Sequence, residues 1–126
     1  MDLFNELQTK QSQLNVSIKK LRETGSNYAK AERDYKILLR QEVLKLRDEG
    51  QAIGVISLIC YGIPSVAKAR FERDVAKTIY EANKEAINTL KIEIKLINSQ
   101  LEKEWSQSGN NWKMEENKRN QKLLCQ

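Results

Sequence analysis

Hydrophobic side chains recur every seven residues along the first third of the chain. The two rungs of this ladder are Leu7, Leu14, Leu21, Tyr28 and Tyr35, and Phe4, Ile18, Leu39 and Leu46. The intervening positions are mostly charged or polar, as expected for an amphipathic helix that packs against another helix. The pattern predicts a helix over about residues 3–48, with Asp2 as its N-cap.

Two glycines affect the continuity and the end of this predicted helix. Gly25 lies in the polar segment 24–27 and weakens a helix by about 1 kcal/mol relative to alanine, so a continuous helix and a helix with a kink or short break there are both open. Gly50 follows the last apolar rung and suits the left-handed conformation of a helix C-cap. The first helix is therefore expected to end just before Gly50.

An uncharged, mostly apolar segment occupies residues 52–63 and ends in the turn signal Gly62-Ile63-Pro64-Ser65. It is shorter than the roughly 20 residues that cross a bilayer. Three interpretations stay open: a short buried helix at the bend of a hairpin, a self-association patch, and a re-entrant membrane contact. The buried helix is favoured, because short apolar stretches are more often buried in protein than in lipid.

The apolar pattern resumes with alternating spacings of three and four residues and predicts a second helix over about residues 65–105. Ser65 is the expected N-cap, with Pro64 just outside the helix. Ile92 and Leu96 widen the apolar stripe, so this helix is expected to meet more than one neighbour. Beyond Trp105 the pattern dissolves, and residues 106–126 are expected to form a loosely ordered polar tail.

These segments predict an all-α fold. The expected architecture is a long antiparallel helical hairpin resembling a coiled coil, with a short apolar helix at the bend in residues 50–64, forming a single domain over residues 1–105. A fold of many short strands needs many turns, and turns are rich in glycine and proline. Five glycines and one proline among 126 residues are too few for such a fold. Because two antiparallel helices bury only a thin core, assembly into a homodimer or larger bundle is expected.

The composition excludes most familiar catalytic sites. The chain has no histidine, which removes imidazole bases and imidazole metal ligands, and no glycine-rich phosphate loop. Cys60 and Cys125 are far apart and have no metal-binding spacing, so reduced thiols of a cytoplasmic protein are expected. No signal peptide is recognised at the N-terminus. The sequence therefore predicts no enzyme, no cofactor, no metal and no membrane partner.

The distribution of charged residues along the chain does not indicate a particular class of binding partner. The net charge of +5 is spread along the chain, and basic and acidic residues alternate as on a solvated helix face. Most carboxylates have a basic residue at helical spacing and are expected to form surface ion pairs. Four of them are candidates for a buried polar network, namely Glu32, Glu42, Asp74 and Glu93.

Residues 51–73 can also be interpreted as a helix-turn-helix. In this interpretation the second helix exposes four side chains to a DNA major groove: Ser65, Lys68, Arg70 and Arg73. The first helix lacks the polar outer face of such a motif, and the second runs on far beyond a recognition helix. DNA binding is therefore the alternative hypothesis, and a hairpin bend is the simpler one.

Several short motifs of this chain resemble motifs found in a known group of proteins. They are Asp2-Leu3-Phe4, Leu46-Arg47-Asp48-Glu49-Gly50, Ala69-Arg70-Phe71-Glu72-Arg73-Asp74-Val75-Ala76 and Glu104-Trp105. Over about residues 2–105 the chain resembles small helical proteins of bacteriophages and prophages of Gram-positive bacteria, which tend to end near residue 105. The resemblance implies a protein that acts in a bacterial host cytoplasm by occupying a surface of a host, replication or defence protein.

The leading prediction is a non-catalytic module that binds and modulates another protein, with itself and an unidentified host or phage protein as partners. Nucleic acid is the second, less favoured partner that the sequence predicts. The expected contact residues lie in the apolar bend and among the aromatic residues of the stripes, because aromatic side chains dominate interface energetics. They are Ile53, Ile56, Ile59, Tyr61, Ile63, Tyr28, Tyr35 and Trp105.

Overall fold

The computed structural model describes the backbone of residues 2–124 and their side chains, except those of residues 110–114, 122 and 124. These residues form three α-helices and one short 3-10 helix, with no strand. The helices are α1, Leu3–Asp48; α2, Ile53–Ile59; and α3, Pro64–Leu124, with the 3-10 helix at Cys60–Gly62. The predicted all-α helical hairpin with a short apolar helix at its bend is confirmed.

Contacts divide the chain into two compact units, each built from part of α1 and part of α3. One unit combines Met1–Asn15 with Asn88–Gln126, and the other is Val16–Ile87, which contains the bend. In the first unit, Lys10 of α1 forms an ion pair with Glu93 of α3. The single domain predicted for residues 1–105 stays a prediction.

Within the Val16–Ile87 unit, one asparagine links the two long helices. The Asn83 side chain donates a hydrogen bond from Nδ2 to the Ser17 carbonyl oxygen at 3.0 Å, and its Oδ1 lies 2.8 Å from the Thr24 hydroxyl. One turn away the rings of Tyr28 and Tyr80 pack with their centroids 6.0 Å apart. Because a polar side chain in a helical seam is satisfied at only one alignment, these contacts specify the register of the antiparallel pair.

Both ends of α1 are capped by the residues that the pattern indicates. The Phe4 amide donates to the Asp2 carboxylate at 3.1 Å, which confirms Asp2 as the N-cap. At the other end Gly50 has a φ of 84°, its amide donates to the Arg47 carbonyl oxygen, and the Gln51 amide donates to the Leu46 carbonyl oxygen. This pair of bonds is a Schellman motif, which needs the left-handed conformation that glycine adopts readily.

The predicted helix over about residues 3–48 has no break at Gly25, because α1 is continuous through this position. Tyr80 of α3 packs over this position, and a Cβ added at Gly25 would lie 3.5 Å from the Tyr80 ring. Packing between helices outweighs the weak helix propensity of one glycine.

Both predicted ends of α3 are corrected. The helix begins at Pro64, and Ile63 in an extended conformation precedes it, so Ser65 is not the N-cap. Proline is suited to the first helical position because its φ is preset and it has no amide hydrogen to satisfy. At the far end α3 continues to Leu124 instead of ending near residue 105. Residues 106–124 contain no proline to break the helix, and seven of these nineteen residues are the helix formers lysine, glutamate and glutamine, although no apolar stripe is present.

The core is small. Among the described side chains the buried hydrophobic residues are Tyr35, Ile56, Cys60, Val66 and Ile87 in the Val16–Ile87 unit, and Ile97 in the other unit. No described polar or charged residue is buried. Cys60 is a free thiol in this core, whereas Cys125 lies outside the described residues. Three of these six residues, Ile56, Cys60 and Val66, lie in the bend or directly after it, so one side of the bend is packed in the core.

We expect opposite effects from adding a methyl group at Gly50 and at Gly25. Gly50→Ala should destabilise the protein by about 1–2 kcal/mol, because alanine is strained in the left-handed conformation. Gly25→Ala should stabilise it by about 0.5–1 kcal/mol, since the new methyl group makes ordinary contact with Tyr80 and alanine favours helix. Urea unfolding followed by circular dichroism measures both, and effects of equal sign would contradict this account.

Candidate protein-contact surface at the bend

The apolar segment of the bend has an inner and an outer side. Ile56 and Cys60 are four residues apart, share one side and are buried, beside the fully buried Val66 at the start of α3. The amide of Cys60 donates to the Ile56 carbonyl oxygen, which closes α2. The inner side thus anchors the bend to the hairpin. The favoured prediction of a short buried helix is nevertheless corrected, because Ile56 is the one buried residue of α2 and its other six residues are exposed.

The outer side of the same segment is exposed and apolar. Ile53 and Leu58 are 79% and 81% exposed, although both are large aliphatic residues. We call the exposed apolar residues of this segment the tip surface; they are Ile53, Val55, Leu58, Ile59 and Tyr61. No charged residue occurs between Ala52 and Ile63. Exposed apolar patches are typical of surfaces that bind partners, so the tip surface is the candidate contact surface.

An arginine beneath the bend ties α3 to α1. The Arg73 guanidinium lies 4.5 Å from the ring centroid of buried Tyr35, and it donates two hydrogen bonds to the Asp74 carboxylate at 2.8 and 3.0 Å. Its other acidic neighbour is Glu32, at 3.8 Å. The hydrogen bond to Asp74, with the negative charges of Asp74 and Glu32, raises the pKa of Arg73 above its ordinary value. Arg73 is therefore held in place as a bridge between the helices.

A second arginine reaches the tip surface itself. The Arg70 guanidinium lies 5.6 Å from the ring centroid of Tyr61, within the range of a cation–π contact. This contact restricts the rotation of Tyr61, the one aromatic residue of the tip surface. A tyrosine that is partly ordered before binding loses less conformational entropy on contact with a partner.

The structure separates the predicted contact residues into several groups. Ile53, Ile59 and Tyr61 are exposed together on the tip surface. Tyr35 and Ile56 are 5% and 4% exposed, so the assignment of these two residues to a contact surface is corrected: both stabilise the fold.

The remaining predicted contact residues lie away from the tip surface or are partly covered. Ile63 and Tyr28 are half-buried, and Tyr28 packs on Tyr80. Trp105 is highly exposed and belongs to the other unit. These three residues are not part of the tip surface.

Leu58 and Val55 lie within the predicted apolar bend, but the sequence does not single them out among its contact residues. Both lie in the uncharged segment, so their apolar character was visible in the sequence. Their exposure depends on which side of the short helix faces the hairpin. An almost wholly apolar helix has no polar side to indicate that orientation.

The candidate polar network of acidic residues is not buried. Glu32 pairs with Lys36 and Arg73, Glu93 pairs with Lys10, and all of these side chains are partly exposed. Asp74 is exposed and bonds to the neighbouring Arg73, and Glu42 is half-buried. Within the part of the chain that the structure describes, no group of histidine, cysteine, aspartate or glutamate side chains could hold a metal ion.

The four residues of the helix-turn-helix alternative do not form one exposed set. Ser65, Lys68 and Arg70 are exposed in the first two turns of α3. The Arg73 side chain is 21% exposed and held by Asp74 and Glu32, which corrects its expected exposure to a major groove.

Within residues 2–124, no single helix is long and apolar enough to cross a membrane. Ile53–Gly62 and Pro64–Gly109 meet that requirement only when taken together, and they are bent by 65° relative to each other.

Comparisons with family models, curated proteins and solved structures find no match to this chain. Function is therefore inferred from the exposure, contacts and charge of the described residues.

We expect Tyr35 and Leu58 to differ sharply in their contribution to stability. Tyr35→Ala should destabilise the protein by about 3 kcal/mol or more, because it leaves a cavity in the small core and removes the ring beneath Arg73. Leu58→Ser should change the free energy of unfolding by no more than about 0.5 kcal/mol, since its side chain is exposed. Denaturant unfolding distinguishes the two, and a large loss from Leu58→Ser would show that the tip surface is part of the core.

Proposed function

We propose that this protein is a non-catalytic protein-binding module that occupies a surface of another protein through its tip surface and thereby modulates or inhibits it. The observation that supports this proposal is the exposure of five hydrophobic side chains within residues 53–61, on a segment whose inner side is anchored in the core. Folding of the chain leaves these side chains in water. Covering them with a partner supplies the hydrophobic free energy of binding.

The chemistry around the tip surface suits a protein partner. The centre of a protein interface is typically depleted of charge and enriched in aromatic and arginine side chains. The tip surface is uncharged, and Tyr61 with its stacked Arg70 provides such a pair at its edge. The contact with Arg70 leaves the tyrosine ring half exposed, so Tyr61 can still enter a pocket of the partner.

The proposed setting comes from the resemblance of the short motifs. We propose that the chain is encoded by a bacteriophage or prophage of a Gram-positive bacterium and acts in the host cytoplasm. Its partner would be a host, replication or defence protein. A small module without catalytic groups can act on such a protein by covering a functional surface.

DNA binding is the second candidate function. It is favoured by the exposure of Ser65, Lys68 and Arg70 in the first turns of α3, directly after a short helix and a turn. Against it, α2 carries no charge to contact phosphates, and Arg73 is engaged by acidic neighbours. The protein-binding proposal accounts for the exposed apolar residues, which DNA contacts do not need.

The main test is affinity capture from a Gram-positive host lysate, with and without nuclease, followed by mass spectrometry. The native chain should retain the same protein in both samples. The double variant Ile53→Ser/Leu58→Ser should lose at least about nine-tenths of it, as expected when central apolar anchors are removed. The control Ile92→Ser/Leu96→Ser changes two exposed aliphatic residues of the other unit that are not part of the tip surface, and this variant should still capture the protein.

Equal capture by the native chain and the tip variant would overturn the proposal, as would recovery of material that disappears on nuclease treatment. Circular dichroism of both variants establishes that they remain helical.

Duplex DNA binding should be weak and nonspecific if the tip surface is the functional site. Measured across a salt series, the affinity of the native chain should not respond to Lys68→Ala/Arg70→Ala by more than a few-fold. A steep fall of affinity with salt that this variant flattens would show that these two residues contact phosphates. That result would make DNA binding the better supported function and would overturn the protein-binding proposal.

A further inference from the structure

The C-terminal part of α1 carries an open groove that combines apolar and basic side chains. Its volume is about 450 Å³, and no acidic residue lines it. We call it the α1 groove; the three aliphatic and three basic residues that line it are Leu39, Val43, Leu44, Lys36, Arg40 and Arg47. All six belong to the Val16–Ile87 unit, and none of them is part of the tip surface.

Helical spacing places the three basic residues of the α1 groove on one line. Lys36, Arg40 and Arg47 are separated by four and by seven residues, so they lie within about 40° of one another around the axis of α1. Along the axis the two separations are about 6 Å and about 10.5 Å. Leu39 and Leu44 lie on opposite sides of this line, so apolar side chains flank the charges.

The basic residues of the α1 groove are exposed, whereas part of its apolar lining is recessed. Lys36, Arg40 and Arg47 are exposed, and Leu39 and Val43 are half-buried. The groove therefore has an apolar floor beneath basic side chains that reach into water.

Two of the three charges have no acidic partner among residues 2–124. Lys36 lies 3.5 Å from Glu32, whereas the ion pairs of the described side chains include neither Arg40 nor Arg47. These two guanidinium groups are therefore free to pair with carboxylates of a partner, which arginine binds with two parallel hydrogen bonds.

We propose that the α1 groove is a docking site for an acidic amphipathic helix of a partner protein. Carboxylates separated by four and by seven residues on such a helix match the axial spacing of Lys36, Arg40 and Arg47. An aliphatic side chain on the same face of the partner helix covers the floor formed by Leu39 and Val43, as in other complexes of a helix in a groove.

Other anionic partners match less of this surface. A nucleic acid would pair its phosphates with the arginines and leave the apolar floor uncovered. A bilayer surface is flat, so it would meet the exposed basic side chains without reaching the recessed Leu39 and Val43. Only a partner that presents carboxylates together with an apolar side chain uses both parts of the groove.

The first test measures binding of the full chain to a labelled helical peptide of about 18 residues, with leucine on one stripe and glutamate beside it at spacings of four and seven. Fluorescence anisotropy should detect binding by the native chain. Arg40→Gln/Arg47→Gln should raise the dissociation constant at least about tenfold, because two charge pairs are lost.

The matched control is Lys30→Gln/Lys45→Gln, which removes the same charge from exposed positions of α1 that do not line the groove. It should change the dissociation constant by less than about twofold. Equal effects of the two double variants, or no binding by the native chain, would overturn the proposal.

A charge swap separates a lost contact from a lost structure. Arg40→Glu/Arg47→Glu should bind the glutamate peptide more weakly than the native chain does, and should bind a peptide with lysine in place of glutamate more tightly. The tip variant Ile53→Ser/Leu58→Ser should bind the glutamate peptide like the native chain, because the α1 groove is independent of the proposed function. A swap variant that does not prefer the lysine peptide, or a weakened tip variant, would overturn the proposal.

A last comparison tests the apolar floor and the other anionic partners. A glutamate peptide with serine in place of leucine should bind at least about fivefold more weakly, because it buries less apolar surface. Duplex DNA and vesicles of phosphatidylserine and phosphatidylcholine should bind the native chain more weakly than the leucine peptide does. Equal binding of the two peptides, or tighter binding of DNA or vesicles that Arg40→Gln/Arg47→Gln abolishes, would overturn the proposal.

Discussion

Two helices that pack against each other meet along a single seam, and this constraint governs the rest of the structure. Each helix can bury only one stripe of side chains against one neighbour. The described chain accordingly buries only a handful of hydrophobic residues, half of them at the bend, and leaves many others in water. The exposed apolar residues are thus a consequence of the architecture, and they are also the surfaces on which a partner can gain the most free energy.

Because the hydrophobic seam is thin, polar contacts determine how the two long helices align. Asn83 bonds to a carbonyl oxygen of α1 and contacts Thr24, while Arg73 joins Tyr35 and Glu32 of α1 to its own neighbour Asp74. Apolar side chains alone tolerate a shift by one heptad, whereas a directional hydrogen bond does not. These contacts keep the bend, and hence the tip surface, in a defined position.

The tip surface combines an exposed side with an anchored one. It is uncharged and short, and the same segment is anchored by the buried residues Ile56 and Cys60. Its exposed apolar side chains are therefore held on a packed backbone, and they remain in water after the chain has folded.

The sequence by itself determined the helical class, the hairpin, the bend and the caps at Asp2 and Gly50, because these follow from periodicity and local backbone chemistry. It also located the apolar segment that carries the tip surface. It did not determine where α3 ends or that α1 continues through Gly25, since helix stability there depends on summed propensity and on packing against Tyr80.

Only the tertiary structure decided which apolar side chains are core and which are surface. Ile56 and Leu58 are two residues apart in one uncharged segment, yet the first is buried and the second is exposed. Tyr35 and Tyr28 lie on the same heptad rung, and only Tyr35 is fully covered, beneath Arg73. Periodicity shows that a helix has an apolar side, but the orientation of that side is set by the neighbour it packs against.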